Sequence, residues 1–132
     1  MPGEPDQIYV DARRALLDAL DALGPQTVAK LHKVGERRDT PDRLVDKDAL
    51  DIYRILVGVS TPTLAGAWRS LLADPISAPV TGTAVTYLGE LFGTVKGIGS
   101  QMAARAVVPL MDGDTIAQGS AALAQDLLEA LK

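Results

Sequence analysis

The residues able to do chemistry in this chain lie in two short charged runs. Lys30, Lys33 and Arg37 recur at spacings of three and four, and Lys47, Asp51 and Arg54 do the same with Asp48 alongside. A helix advances about 100° per residue, so each set falls in one narrow stripe. On the first helix Val28, Leu31 and Gly35 lie on a different face, with His32 at its margin. On the second, Ala49, Leu50, Ile52, Tyr53, Leu56 and Val57 cover the side opposite the charges. Two readings fit this pattern. In one, both stripes are the solvated faces of ordinary amphipathic helices, with Asp51 pairing locally to Lys47 and Arg54 for about a few tenths of a kcal/mol. In the other, the stripes face each other or a bound phosphate, since a lysine and an arginine along one helical face suit a triphosphate-type anion.

Other candidates have simpler explanations. The chain has no Cys, which removes disulfides, thiolate metal sites and cysteine nucleophiles together, and its single histidine rules out a multi-histidine metal site. His32 reads as structural or surface, and Trp68, among Leu64, Leu71 and Leu72, as core. Gly93, Gly97 and Gly99 follow no strand and lack the Lys-Ser/Thr of a phosphate loop. None of Ser60, Ser70, Ser77, Ser100 and Ser120 stands in a nucleophile motif.

The charge is unevenly spread. Residues 30–54 hold seven basic and six acidic side chains, whereas residues 55–132 hold four and six. The sparse part reads as packing material or as a surface that meets something else. A net charge of −4 argues against duplex-DNA binding, which needs a dense positive face. The longest charge-free runs, Ile55–Trp68 and Pro75–Gly89, are too short to span a bilayer and contain proline, so no membrane partner is expected. The start, Met1-Pro-Gly-Glu-Pro-Asp, is acidic and lacks an apolar stretch, which predicts no signal peptide and a cytoplasmic location.

These charged runs must be positioned by helices. A length of 132 residues fits one domain, and its apolar content of 47% is enough for a core. Asp6 caps a helix over 6–23 with apolar positions Ile8, Ala12, Ala15, Leu16, Ala19, Leu20 and Leu23, and Gly24-Pro25 stops it. A second helix runs to about Arg38, Asp39–Asp42 turns the chain, and a third covers about Asp46–Val59; residues 26–59 form a charged helix pair. Thr61-Pro62 restarts the chain into an apolar helical region over 61–132. Its helices are read at about 61–73, 80–92, 95–108 and 115–131. Gly97 and Gly99 weaken the third of these, and Asp112 caps the last. No segment alternates as a strand does, so the expected fold is all-α, a compact bundle of about six to seven helices.

Two stretches also carry a family resemblance. Ala29-Lys30-Leu31-His32-Lys33-Val34-Gly35-Glu36-Arg37 is one, and Arg43-Leu44-Val45-Asp46-Lys47-Asp48-Ala49-Leu50-Asp51-Ile52-Tyr53-Arg54-Ile55-Leu56 is the other. Together they resemble the AbiEii/AbiGii-type nucleotidyltransferases, toxin components of abortive-infection and toxin–antitoxin systems. The pattern is a Lys-Leu pair with Arg seven residues after the Lys, then Arg-x-Lys-Asp-x-x-Asp-Leu with an apolar tail. Here three residues rather than one separate Arg43 from Lys47. The resemblance implies nucleotide transfer from a nucleoside triphosphate with magnesium to a hydroxyl acceptor. It places Lys30 and Arg37 on the triphosphate and the candidate catalytic groups Asp48 and Asp51 near the acceptor or organising the pocket, with Lys47 in support; Lys33, in the same stripe, is a further candidate for binding the nucleotide.

The chain departs from that family where its metal would sit. The family holds magnesium on a small sheet with a Gly-Ser turn and two or three carboxylates. Here Gly99-Ser100 is followed by no Asp-x-Asp at the expected distance, and Asp112-x-Asp114 reads as a cap. The first helix passes through Gly24-Pro25-Gln26 directly into the Lys30 helix, as in a member whose catalytic core is missing between Leu23 and Thr27. No metal site is therefore assigned, and turnover by the chain alone is not expected. Two function classes stay open: a nucleotidyltransferase-like protein that binds nucleotide weakly, and a non-catalytic module for protein interaction or dimerisation. Expected partners are a second copy of the chain, a cognate antitoxin, or a chain supplying the missing core.

Overall fold

In the computed structural model of this chain, which describes residues 4–132, Pro25 sits inside a helix rather than beyond the end of one. The side chains of residues 4–6, Tyr9, Arg13 and residues 16–21 fall outside the described set. The Met1–Gly3 start and the Leu16, Ala19 and Leu20 positions of the first apolar stripe therefore lie outside it as well. Helix α1 runs unbroken over Glu4–Arg37, 34 residues or about 51 Å. The expected stop at Gly24-Pro25 does not occur, and Asp6, read as a cap, lies in the first helical turn. A glycine that ends a helix does so in the left-handed region, and no described glycine has positive φ. Pro25 forfeits the one backbone bond that its missing N–H would have made. Packing offsets that loss: a Cβ on Gly24 would lie 3.1 Å from the Ala67 Cβ and 3.8–3.9 Å from Leu71 and Trp68.

A 3-10 turn (Pro41–Arg43) leads to α2 (Asp46–Gly58), α3 (Thr61–Ala73), α4 (Ala78–Phe92), α5 (Ile98–Val107) and α6 (Gly113–Ala130). The described residues are helical throughout their ordered elements and contain no strand, so the fold is all-α. Several boundaries differ from the sequence reading, among them the start of α6, two residues early at Gly113. The cap of α3 is Ser60, whose Oγ accepts from the Thr63 N–H at 3.4 Å, with Pro62 in the first turn. Helix α4 starts two residues early, because Pro79 is accommodated in its first turn. Helix α5 starts late, at Ile98, because Gly97 serves as its extended N-cap. Asp112 caps α6 as expected, accepting from the Asp114 N–H at 3.1 Å and from the Thr115 hydroxyl at 2.9 Å.

Helices α2, α3 and α4 each pack against both α1 and α6, while α5 packs against α2, α4 and α6. The core between them holds Leu31, Ile52, Trp68, Leu88, Leu91, Phe92, Met102, Ile116 and Leu127, all fully buried. Most of these come from the charge-poor residues 55–132, whose apolar faces turn onto one another. Toward the start of α1 the described side chains Gln7, Ile8, Val10, Asp11, Ala12, Arg14, Ala15 and Ala22 are all exposed, Ile8 at 69%.

Gly99 reverses its sequence reading. A Cβ there would come within 2.6 Å of the Phe92 ring, which is fully buried and has no room to yield. Gly99→Ala is expected to lose about 1–3 kcal/mol from overpacking, although alanine is the better helix former. Gly82→Ala, where nothing lies within 4 Å of the new Cβ, is expected to gain about 0.5–1 kcal/mol. Urea denaturation of the two variants checks the opposite signs.

Candidate functional site

The second half of α1 and the whole of α2 lie against each other over an apolar seam. Leu31 and Val34 of α1 and Ala49, Leu50, Ile52 and Leu56 of α2 are all buried there in one apolar cluster. Burying these faces fixes how each helix is turned and brings the two charged stripes together along one edge. Lys30 Nζ lies 3.3 Å from Asp51 Oδ2, and Lys33 Nζ lies 3.2 Å from Asp48. The pairs step in opposite directions, 30 to 33 against 51 to 48, which is the register of an antiparallel helix pair. Arg54 adds a contact of 3.7 Å to Asp51. The two charged stripes therefore face each other.

The six sequence-predicted site residues are not equally placed. Asp48 is buried at 8% exposure and Asp51 is half-buried, each with a lysine of α1 as partner. Arg37 lies beside the turn, its Nη1 donating to the Arg43 carbonyl at 3.5 Å. Lys47 is exposed and, among the described residues, makes no ion pair, so the local Lys47–Asp51 pair expected from spacing is replaced by the pair to Lys30. Asp48 and Asp51 thus answer separate ammonium groups rather than pooling their oxygens. Among the described residues no group of three His, Asp or Glu side chains could hold a metal ion. The donor set does not fit a magnesium centre, since a divalent ion at either carboxylate would have to displace its lysine.

The remaining motifs have structural roles. Ser100 is buried, and its hydroxyl donates to the Phe92 carbonyl at 3.4 Å. Trp68 is core, as read. His32 is half-buried, its ring edge-on to Tyr87 with centroids 5.3 Å apart.

Two charged contacts escaped the sequence reading. Arg105 of α5 forks onto Asp46 at the start of α2, at 3.0 and 3.2 Å. Arg38 pairs with Glu90 of α4 and stacks over the Tyr87 ring. The hydrogen bond and charge of Glu90 raise the Arg38 guanidinium above its ordinary value. Partners 59 and 52 residues apart leave no periodic signal that could have linked them.

Comparison with protein-family models, with curated proteins and with solved structures finds no match to this chain.

A double-mutant cycle on Lys33→Ala and Asp48→Ala tests the seam. The expected coupling is about 0.5–1 kcal/mol, near the top of the range for partly exposed pairs because Asp48 is mostly out of water. It should weaken in molar salt. The Glu129–Lys132 pair, whose side chains are both 75% exposed, should show no measurable coupling.

Proposed function

We propose that the chain is a nucleotidyltransferase-like helical protein of AbiEii/AbiGii type, which contacts a nucleoside triphosphate through the α1–α2 edge and turns nothing over by itself. The observation that carries this reading is the meeting of the two stripes. Lys30 and Lys33 of α1 and Arg54 of α2 pair with Asp48 and Asp51, three cations on two carboxylates. The result is a local excess of positive charge on a chain of net charge −4. Lys30 and Arg37 are the groups for the triphosphate, where fixed cations offset the charge that develops on a leaving group. Lys33 and Lys47 flank them. Asp48 or Asp51, once released from its lysine by the anion, is the carboxylate able to accept a proton from a hydroxyl. Turnover needs a metal-holding set of acids supplied from another chain.

Purified chain is expected to bind magnesium nucleoside triphosphate weakly, raising its melting temperature, with the shift fading as salt is added. The double variant Lys30→Ala, Arg37→Ala should abolish the shift, and neither protein should transfer labelled nucleotide to RNA or protein. A shift unchanged in the variant would place the anion elsewhere. Robust transfer by the chain alone, lost in Asp48→Ala, would overturn the incomplete-enzyme reading.

A second reading, a module for protein interaction, is favoured by one observation: the exposed Ile8, Ala12 and Ala15 stripe on the first half of α1. In its self-associating form, light scattering at micromolar concentration should give about twice 13.9 kDa, and Ile8→Asp should return the mass to one copy. A single-copy mass for the parent chain would remove this form.

A further inference from the structure

Helix α1 has a second polar edge, turned away from α2. Pro25 and Val28 of α1, Leu71 of α3 and Val80 of α4 wall a cleft of about 470 Å³. The ionisable groups lining it are His32 and Glu36. His32 Nε2 lies 2.7 Å from the Val80 carbonyl. A carbonyl oxygen only accepts, so Nε2 carries a proton and donates it. In the neutral ring Nδ1 is then a lone-pair acceptor. It faces Glu36 Oε1, itself an acceptor, at 3.4 Å. Either a donor that serves both acceptors or a proton on Nδ1 satisfies this contact.

Thr81 forms part of the cleft floor. It lines the same cleft, is fully buried, and its Oγ1 has no hydrogen-bond partner. The neighbouring Ser77 hydroxyl, by contrast, is satisfied, donating to the Leu71 carbonyl at 2.6 Å.

We propose that this cleft binds a small organic ammonium ion with an apolar body. Its N–H groups are shared by His32 Nδ1 and Glu36, and its hydrocarbon lies along Pro25, Val28, Leu71 and Val80. The volume falls within the range of small-molecule sites, which combine apolar walls with a few convergent polar groups. Charge decides the class. Glu36 is the one carboxylate lining the cleft, and it attracts a cation by a charge-assisted hydrogen bond while repelling phosphates and carboxylates. The other way to satisfy the His32–Glu36 contact is a proton on Nδ1, which would make the pair an internal ion pair and close the site.

His32 is the only histidine, so its ring nitrogen resonances report on the cleft without ambiguity. Phenylethylammonium titrated into the full chain at mildly alkaline pH is expected to give a saturable shift at Nδ1. Phenylethanol, with the same body and no charge, should bind at least about tenfold more weakly, the loss of one charge-assisted hydrogen bond. Glu36→Gln should weaken the amine by a similar factor and leave the alcohol unchanged. Its side chain is 67% exposed, and the melting curve checks that the variant folds. Ala29→Leu, which adds bulk from an exposed position lining the cleft, should block both probes. No saturable shift, equal binding of amine and alcohol, or an Nδ1 already protonated in the free chain would overturn the proposal.

Discussion

The close approach of α1 to α3 and α4 is the constraint on which the rest of the molecule depends. At Gly35 a Cβ would lie 2.6 Å from the Tyr87 ring, and at Gly24 it would crowd Ala67. Two absent side chains let a long helix lie flush on its neighbours, with Thr27, Leu31 and Val34 buried beneath it. Burial of Thr27 is tolerated because its hydroxyl donates back to the Leu23 carbonyl at 2.5 Å. The Tyr87 ring that Gly35 admits then meets the edge of His32 and lies under Arg38, so one contact sets the position of both polar groups.

Helix α1 consequently has two polar edges of opposite character, separated by its buried face. Toward α2 it presents Lys30 and Lys33 to carboxylates, with cations in excess. Toward α3 and α4 it presents His32 and Glu36 over an apolar cleft. Helical periodicity alone spaces them, since 30, 33 and 37 fall on one side and 25, 28, 29, 32 and 36 on the other. The two edges thus lie on the same helix without sharing a side chain.

The ion pairs of the α1–α2 edge set register more than they stabilise. Exposed and half-buried pairs contribute little, whereas Leu31, Ile52 and Trp68 at full burial contribute roughly 1.5–3 kcal/mol each. The apolar seam holds the helices together, and the charges above it penalise any slip that would oppose lysine to lysine.

The helical character of the chain, its core faces and most element limits could be read directly from residue order. Local propensity and the 3.6-residue period act within one or two turns, and Asp112 as a cap or Trp68 as core needs no distant partner. The two charged stripes were equally legible, because each lies on one helix. Their relation was not, since spacing allowed either two solvated faces or two facing ones, and burial of Leu31 against the α2 core chose the second. The passage of α1 through Gly24-Pro25 went against the local signal for the same reason: contacts with Ala67, Leu71 and Trp68, more than forty residues away, outweigh one missing backbone bond. The cleft lay beyond sequence reading altogether, as its histidine, carboxylate and orphan hydroxyl come together from α1 and α4. Sequence alone determined which residues face inward and which form stripes, because those are properties of one helix. Tertiary structure decided which stripe meets which, because that depends on how two helices pack, and burial of Leu31 with the apolar face of α2 turns the Lys30–Lys33 edge onto Asp48 and Asp51.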